Sequence, residues 1–334
     1  METKYLCYAA CSFGLEAVVA RELEALDMED VRSRDARVYF TADKAQLARA
    51  CLWLSAADRV YVVLKEFAAH TFDELFEGVK AIDWHEWLSK DARFPVQGDS
   101  VRSVLKSVPD IQSLSKKAIV EALRREYGLR FYKESGTEMG IYVSILADTV
   151  SVCLNPCGIG LNRRGYRVKN GPAPLRETLA AGMLRLTRWS DRPFYDLMCG
   201  SGTIAIEAAM KARHMAPGLR RKFAAEEWGT EWKEAFEAER KAAKEQQMPA
   251  APAPIYAFDI DPKMVDMARF HARRAGVDKD ITFKVADVTR FEPADEAGTI
   301  FANPPYAIRL GEKEPTQKLY KAMGKSLAGL AGWK

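Results

Sequence analysis

Hydrophobic spacing changes character partway along this chain, and the change marks its organisation. Residues 4–11 (Lys-Tyr-Leu-Cys-Tyr-Ala-Ala-Cys) predict a strand. A helical stretch from Gly14 to about Leu26 follows, with Leu15, Val18, Val19 and Leu23 on one face. Residues 37–41 predict a strand, 44–54 a helix and 58–67 a long β-rich run. Read as strand–helix–strand–strand–helix–strand, with one strand of that order not placed, the run suggests an α+β unit of ferredoxin-like type over residues 1–65. A second α+β unit is expected over 66–155. Its helices fall at 72–79 and 112–127, and its strands at 99–106, 129–133, 141–147 and 149–154. Residues 156–171, rich in Asn, Gly and Arg, read as a linker.

Beyond it, strands and helices alternate. Helices are predicted at 175–187, 203–211, 226–244 and 263–275, and strands at 193–197, 255–259, 281–285 and 299–303. Alternating βα units imply a parallel sheet with helices on both faces, here over 172–334.

Composition narrows the class. The chain has 334 residues, 48% hydrophobic and 29% charged, as in a globular protein of two or three domains. No apolar run nears the ~18 residues of a membrane span. The start, Met-Glu-Thr-Lys-Tyr, lacks a signal-peptide pattern, so a cytoplasmic location is expected. Six cysteines and four histidines form no Cys-x-x-Cys pair. The spacings Cys7/Cys11 and Cys153/Cys157 leave a metal site conceivable, but reduced core thiols are expected and no metal.

Net charge is only +4, yet basic residues cluster. Arg102, Lys106, Lys116, Lys117, Arg124, Arg125, Arg130 and Lys133 face only Asp110, Glu121 and Glu126 in the same stretch. Arg163, Arg164, Arg167 and Lys169 follow without an acid among them. Such clusters can neutralise phosphates, or form solvated helix faces.

Two motifs carry chemistry. Asp196-Leu-Met-Cys199-Gly200-Ser201-Gly202-Thr203 sits between a predicted strand and helix. Glycines let the backbone approach a ligand, and helix-start N–H groups face it. The spacing also fits the dinucleotide pattern, so a nicotinamide or flavin cofactor competes. Asp259 ends the next strand and can accept from both hydroxyls of a ribose. Asp287 ends the one after and can meet an adenine amine. Each acid can instead cap the helix that follows, Asp261 before Pro262 most plainly.

The second motif is Asn303-Pro304-Pro305-Tyr306, after the strand at 299–303. An exocyclic amine on an aromatic base is a poor nucleophile, because its lone pair is delocalised into the ring. The Asn303 side-chain oxygen and the Pro304 carbonyl can each accept one N–H, orienting that nitrogen. The prolines stiffen the loop, so both acceptors are held before reaction. Tyr306 can stack on a base turned out of its helix.

Taken together, Asp196–Thr203, Asp259, Asp287 and Asn303–Tyr306 resemble motifs I to IV of class I S-adenosylmethionine-dependent methyltransferases. Gly165-Tyr-Arg, Pro174-Leu-Arg-Glu-Thr-Leu-Ala-Ala181, Cys199–Ala209 and Ala216-Pro-Gly-Leu-Arg220 are similar to the THUMP-domain RNA guanine-N2 methyltransferases, bacterial 23S rRNA enzymes and archaeal tRNA enzymes among them. Residues 107–119 resemble their THUMP domain. The resemblance implies an α/β Rossmann-like methyltransferase domain preceded by α+β ferredoxin-like and THUMP units. It implies S-adenosylmethionine as donor, held by Asp196, Cys199, Gly200, Ser201, Gly202, Thr203, Asp259, Ile260, Asp287, Val288, Asn303 and Thr178, with the Pro174–Thr178 segment closing the pocket. Asn303, Pro304, Pro305 and Tyr306 would hold the target guanine. Structured RNA, 23S rRNA first and tRNA second, would meet Lys116, Lys117, Arg163, Arg164 and Arg167. The family has Gly after the tyrosine, where Ala307 and Ile308 stand here. The sequence also stops after one helix beyond Tyr306. The last strands of a seven-stranded sheet are therefore expected to be missing, leaving the fourth strand near an exposed edge.

Overall fold

The computed structural model describes residues 3–168, 175–305 and 313–334. Two compact units form: Met1–Leu161 with Lys222–Lys241, and Asn162–Arg221 with Ala242–Lys334.

In the first unit, β1 (Tyr5–Cys11), α1 (Glu16–Ala25), β2 (Glu29–Arg34), β3 (Arg37–Ala42), α2 (Lys44–Trp53) and β4 (Ala57–Ala68) follow the expected order. Then come α3 (Phe72–Lys80), β5 (Val96–Val101), α4 (Val108–Tyr127), β6 (Ile141–Leu146) and β7 (Thr149–Leu154). The two predicted α+β units share one seven-stranded sheet, ordered β2-β3-β1-β4-β7-β6-β5. Antiparallel pairing of β4 with β7 joins them. Alternation explains the two faces. Cys7, Ala9, Val38, Phe40, Val60 and Val62 are buried, and α1 and α2 pack on β1, β3 and β4. Tyr8 pairs directly with Tyr39 and Tyr61 across the strands. Those three tyrosines and Cys153 form a separate cluster. Sequence-local caps set the helix starts: Asp43 with Gln46 for α2, Thr71 with Glu74 for α3. At the end of α4, Gly128 takes the left-handed conformation at φ +63°.

Three details differ from expectation. The charged strand β2 is mostly exposed, so no hydrophobic alternation announces it. Strand β5 spans Val96–Val101 rather than 99–106, and α4 starts earlier, with Pro109 in its first turn. Residues 129–133 form a loop, not a strand, in which the Tyr132 hydroxyl donates to the carbonyls of Ser89 and Ala92.

The second unit holds α5 (Glu177–Leu186), β8 (Phe194–Asp196) and α6 (Thr203–Ala212). After α7 (Thr230–Glu245), whose first three turns belong to the first unit, come β9 (Ile255–Asp259), α8 (Pro262–Ala275), β10 (Ile281–Val285), β11 (Thr299–Phe301) and α9 (Lys313–Leu327). The sheet is parallel, ordered β10-β9-β8-β11. Phe194, Ile255, Ala257 and Ile281 point into a core with residues of α5, α6 and α8. Tyr195, Tyr256, Phe258 and Ile300 point the other way, against Leu319, Met323 and Leu327 of α9. The outer edge of β11 is partly covered, against expectation: Ile300 donates to the Lys334 carbonyl (2.9 Å) and Lys334 to Gly298 (3.0 Å).

Candidate active site

Strand register assembles the site. Asp196 lies opposite Phe301 on one side and Ala257 on the other. Val285 lies opposite Asp259. All four strands run the same way, so Asp196, Asp259, Asp287 and Asn303 end on one rim of the sheet. Chain order runs outward from β8 through β9 to β10, then returns to β11 on the far side of β8. That reversal is the switch point where open α/β sheets leave a crevice beyond the strand ends. The glycine run follows one flanking strand and Asn303-Pro304-Pro305 the other.

The glycine turn is braced from the neighbouring strand. Cys199 N–H donates to Phe258 O (2.8 Å) and Gly202 N–H to Cys199 O (2.7 Å). Gly200 N–H donates to Asp259 Oδ2 (2.8 Å). Gly202, at φ +85°, is needed twice over, since a Cβ would also sit 2.8 Å from that of Ala268. Gly200, at φ +51°, has nothing within 4 Å of its Cβ position, so its backbone is open to a ligand. Thr203 opens α6 and is buried, and Ser201 Oγ lies 3.4 Å from its hydroxyl.

The acids differ in environment. Asp196 is fully buried, and neither carboxylate oxygen has a hydrogen-bond partner. Burial pushes its pKa up to about 7, against the nearby amides of Met198 and Ala205, with the Asp259 charge adding to the rise. An unpaired carboxyl beneath an open glycine turn suits a ligand with a cationic end. A carboxyl that holds its proton above the ordinary range stabilises the fold at low pH. That contribution fades as pH rises from about 4 to about 7. Asp196→Asn is therefore expected to flatten the fall in urea stability over that window; parallel profiles for variant and wild type would contradict the assignment.

Asp259 Oδ1 accepts from Asp261 N–H (3.0 Å). With one bond on each oxygen, lone pairs remain for two ligand hydroxyls. Ile260 beside it is 66% exposed, an apolar surface at the rim. Asp287 caps a short 3-10 turn, its Oδ1 accepting from Thr289 N–H (2.9 Å) and Oγ1 (2.8 Å), and these bonds lower its pKa. Val288 is different: its side chain is buried with Phe291, so only its backbone can face a ligand. Asp261 caps α8 through Lys263 N–H (2.8 Å), as its position before Pro262 suggested. Thr178 is buried in the first turn of α5.

Burial raises the Cys199 thiol well above its usual range, the charges of Asp196 and Asp259 adding, so it stays a neutral thiol. Cys199→Ala is expected to keep at least about a tenth of the turnover; near-total loss with ligand binding intact would make it a nucleophile.

Pro305 O accepts from the Tyr320 hydroxyl of α9 (3.2 Å), which holds the proline loop. Asn303 and Pro304 are partly buried and Pro305 is exposed. Tyr306, Ala307, Ile308, Pro174 and Lys169 lie outside the described residues.

Two of the basic candidates turn out to be internal. Arg164 is buried, its guanidinium 3.4 Å from Glu207, which also accepts from the Tyr166 hydroxyl (3.1 Å). Arg167 pairs with Glu177 (3.5 Å) and donates to Leu175 O (2.9 Å) and Thr203 Oγ1. Both arginines tie the segment before α5 to the helix that follows the glycine turn, so their guanidinium groups are engaged inside this unit. Arg163 is exposed. Lys116 pairs with Glu134 (2.6 Å) and lies over Phe94, whereas Lys117 is exposed above Phe76. Among the described residues no three His, Cys, Asp or Glu come together as a metal site, and no helix is long and apolar enough to cross a membrane.

Comparison with known proteins agrees with this arrangement. Residues 164–333 match the RMKL-like methyltransferase domain, 7–61 the RlmL ferredoxin-like domain and 69–155 the THUMP domain. YpsC of Bacillus subtilis (strain 168), whose name places it provisionally among RNA methyltransferases, is 44% identical over 99% of this chain and 86% of its own length. Ribosomal RNA large subunit methyltransferase K/L of Pseudomonas putida (strain W619) is 32% identical over 100% of this chain. This chain spans only about half of that protein's length, 48%. Two solved structures superpose closely. SMU.472, described as a methyltransferase complexed with SAH, gives a TM-score of 0.93 at 38% identity, covering 100% of this chain and 89% of that one. A Listeria monocytogenes str. 4b F2365 protein, titled as an expected N6-adenine-specific DNA methylase, gives 0.91 at 41%, covering 99% and 87%. The chain belongs to the RMKL-like methyltransferases that carry a ferredoxin-like unit and a THUMP domain ahead of the methyltransferase domain.

Proposed function

We propose that this protein is an S-adenosylmethionine-dependent RNA methyltransferase that forms N2-methylguanosine, with large-subunit (23S) ribosomal RNA as its substrate. The observation that carries the reading is the pairing at the switch point. An open glycine turn over an unpartnered Asp196 flanks one side of β8, and the Asn303-Pro304-Pro305 loop ends the strand on the other.

Bound at the glycine turn, S-adenosylmethionine supplies an electrophilic methyl group. Gly200 and Gly202 would line its methionine end beside Asp196, Asp259 would hold its ribose, and Asp287 and Ile260 would meet its adenine. Asn303 and the Pro304 carbonyl take the two N–H bonds of the target amine. This would direct the nitrogen lone pair at the methyl carbon, and the role left to Tyr306 would be to stack on the base. The amine would attack the methyl carbon as that carbon's bond to sulfur breaks; S-adenosylhomocysteine would leave, and the proton would pass from the methylated amine to water. No residue here needs to act as a covalent nucleophile.

The RNA and large-subunit assignments draw on the THUMP match and on the names of YpsC and the K/L enzyme. The name given to the Listeria protein carries a different target, the adenine amine of DNA. Both targets are exocyclic amines that the same loop can hold. Nucleoside analysis of the methylated product separates them. N2-methylguanosine is expected; N6-methyladenine would replace the guanine reading while keeping the site.

A further inference from the structure

The Arg130-Phe131-Tyr132-Lys133 stretch alternates like a strand but folds as a loop with its two rings facing opposite ways. Tyr132 points inward. Its hydroxyl donates to Ser89 O (2.8 Å) and Ala92 O (3.1 Å), and its ring meets Phe94 edge-on at 5.5 Å. Phe131 points outward and is 78% exposed.

The loop around Phe131 is fixed at both ends. Before it, Leu129 N–H donates to Arg124 O (2.9 Å), and Arg124 Nε to Leu129 O (3.3 Å). After it, Glu134 accepts from Phe94 N–H (3.2 Å) and pairs with Lys116. Ser135 and Gly136 N–H both reach Asp91 O, at 3.0 and 2.7 Å. A lone exposed phenylalanine on a surface needs no explanation. This one is held in place, so the ordering cost of presenting it is met by its neighbours' bonds. It also sits among cations. The Arg130 guanidinium lies 5.6 Å from the ring centroid, and Arg124, Arg130 and Lys133 are exposed. Neither Arg130 nor Lys133 has an acidic partner among the described residues.

We propose that Phe131 is a base-stacking point for an unpaired nucleotide of the RNA, with Arg124, Arg130 and Lys133 neutralising the phosphates beside it. This rests on the RNA reading above. Sequence-specific RNA recognition favours unstacked bases laid on aromatic rings, and such stacking tolerates any base. The three cations select a polyanion over an apolar protein surface as the occupant. Lys116, beside the same loop, is already met by Glu134, so the proposed phosphate contacts are Arg124, Arg130 and Lys133 instead.

The test is binding of undermethylated 23S rRNA by the full chain, comparing wild type with Phe131→Ala, Phe131→Leu and Phe131→Tyr. Donor affinity and thermal unfolding are measured alongside. Loss of one stacked base is expected to weaken RNA binding about tenfold or more in the Ala and Leu variants, with Tyr near wild type and donor affinity unchanged. Equal RNA binding by wild type and Phe131→Ala overturns the proposal. So does a Leu variant that binds like Tyr, because apolar contact would then suffice. A wild type that binds no RNA fails earlier in the series, and overturns the functional reading along with the stacking point.

Discussion

Asn303→Ala is expected to lower methyl transfer by about 100- to 1,000-fold, the range for removing one preorganised acceptor or donor at a reacting centre. Donor affinity should change far less, because the proposed donor contacts lie mainly across β8 from Asn303, at the glycine turn and Asp259. The effect should appear in the single-turnover rate at saturating RNA, since the proposed role of Asn303 is to act on the amine as it becomes nucleophilic. A variant that transfers within tenfold of wild type under single-turnover conditions would remove Asn303 from the chemistry.

Arg164→Ala should destabilise the protein by about 3–5 kcal/mol, because it leaves the Glu207 carboxylate buried without its cation. Both side chains of the pair are 2% exposed, and Tyr166 supplies Glu207 with one further bond. Adding Glu207→Gln to the variant should recover part of the loss, since the orphaned charge is then removed. Urea unfolding of wild type and the two variants measures this. If Arg164 instead contacted RNA, Arg164→Ala would unfold like wild type and lose RNA affinity. Arg164, Tyr166 and Arg167 thus form an internal strut. It bonds Thr203 and Glu207 on α6, the helix whose start carries the glycine turn.

These arginines show where sequence stops being legible. A run such as Arg163-Arg164-Gly-Tyr-Arg167 reads as a phosphate-binding linker, because its partners Glu177, Thr203 and Glu207 lie elsewhere in the chain. Local signals fare better. The helices capped by Asp43, Thr71 and Asp261 begin where side-chain chemistry places them. Strands rich in apolar and β-branched residues, β1, β4, β7, β9 and β10, fall within a residue or two of their predicted ends. Strand β2 escapes notice because its exposed Glu, Asp and Arg residues carry no apolar period. The loop at 129–133 imitates a strand because an outward phenylalanine and an inward tyrosine alternate with cations. Long-range pairing is invisible to spacing. Nothing in the residues of β4 or β7 announces that their edges join two α+β units into one sheet. The return of Lys222–Lys241 to the first unit is equally silent. The site itself is legible as motifs. Their meeting on one rim follows only once strand order places β11 beside β8.

The most direct test is methyl transfer from labelled S-adenosylmethionine by this chain to undermethylated 23S, 16S and transfer RNA, separated before counting, with unmethylated DNA as a fourth acceptor. The account predicts label in the 23S fraction, lost on Asn303→Ala. Label confined to DNA, or none in any acceptor from a protein shown to bind the donor, would contradict it.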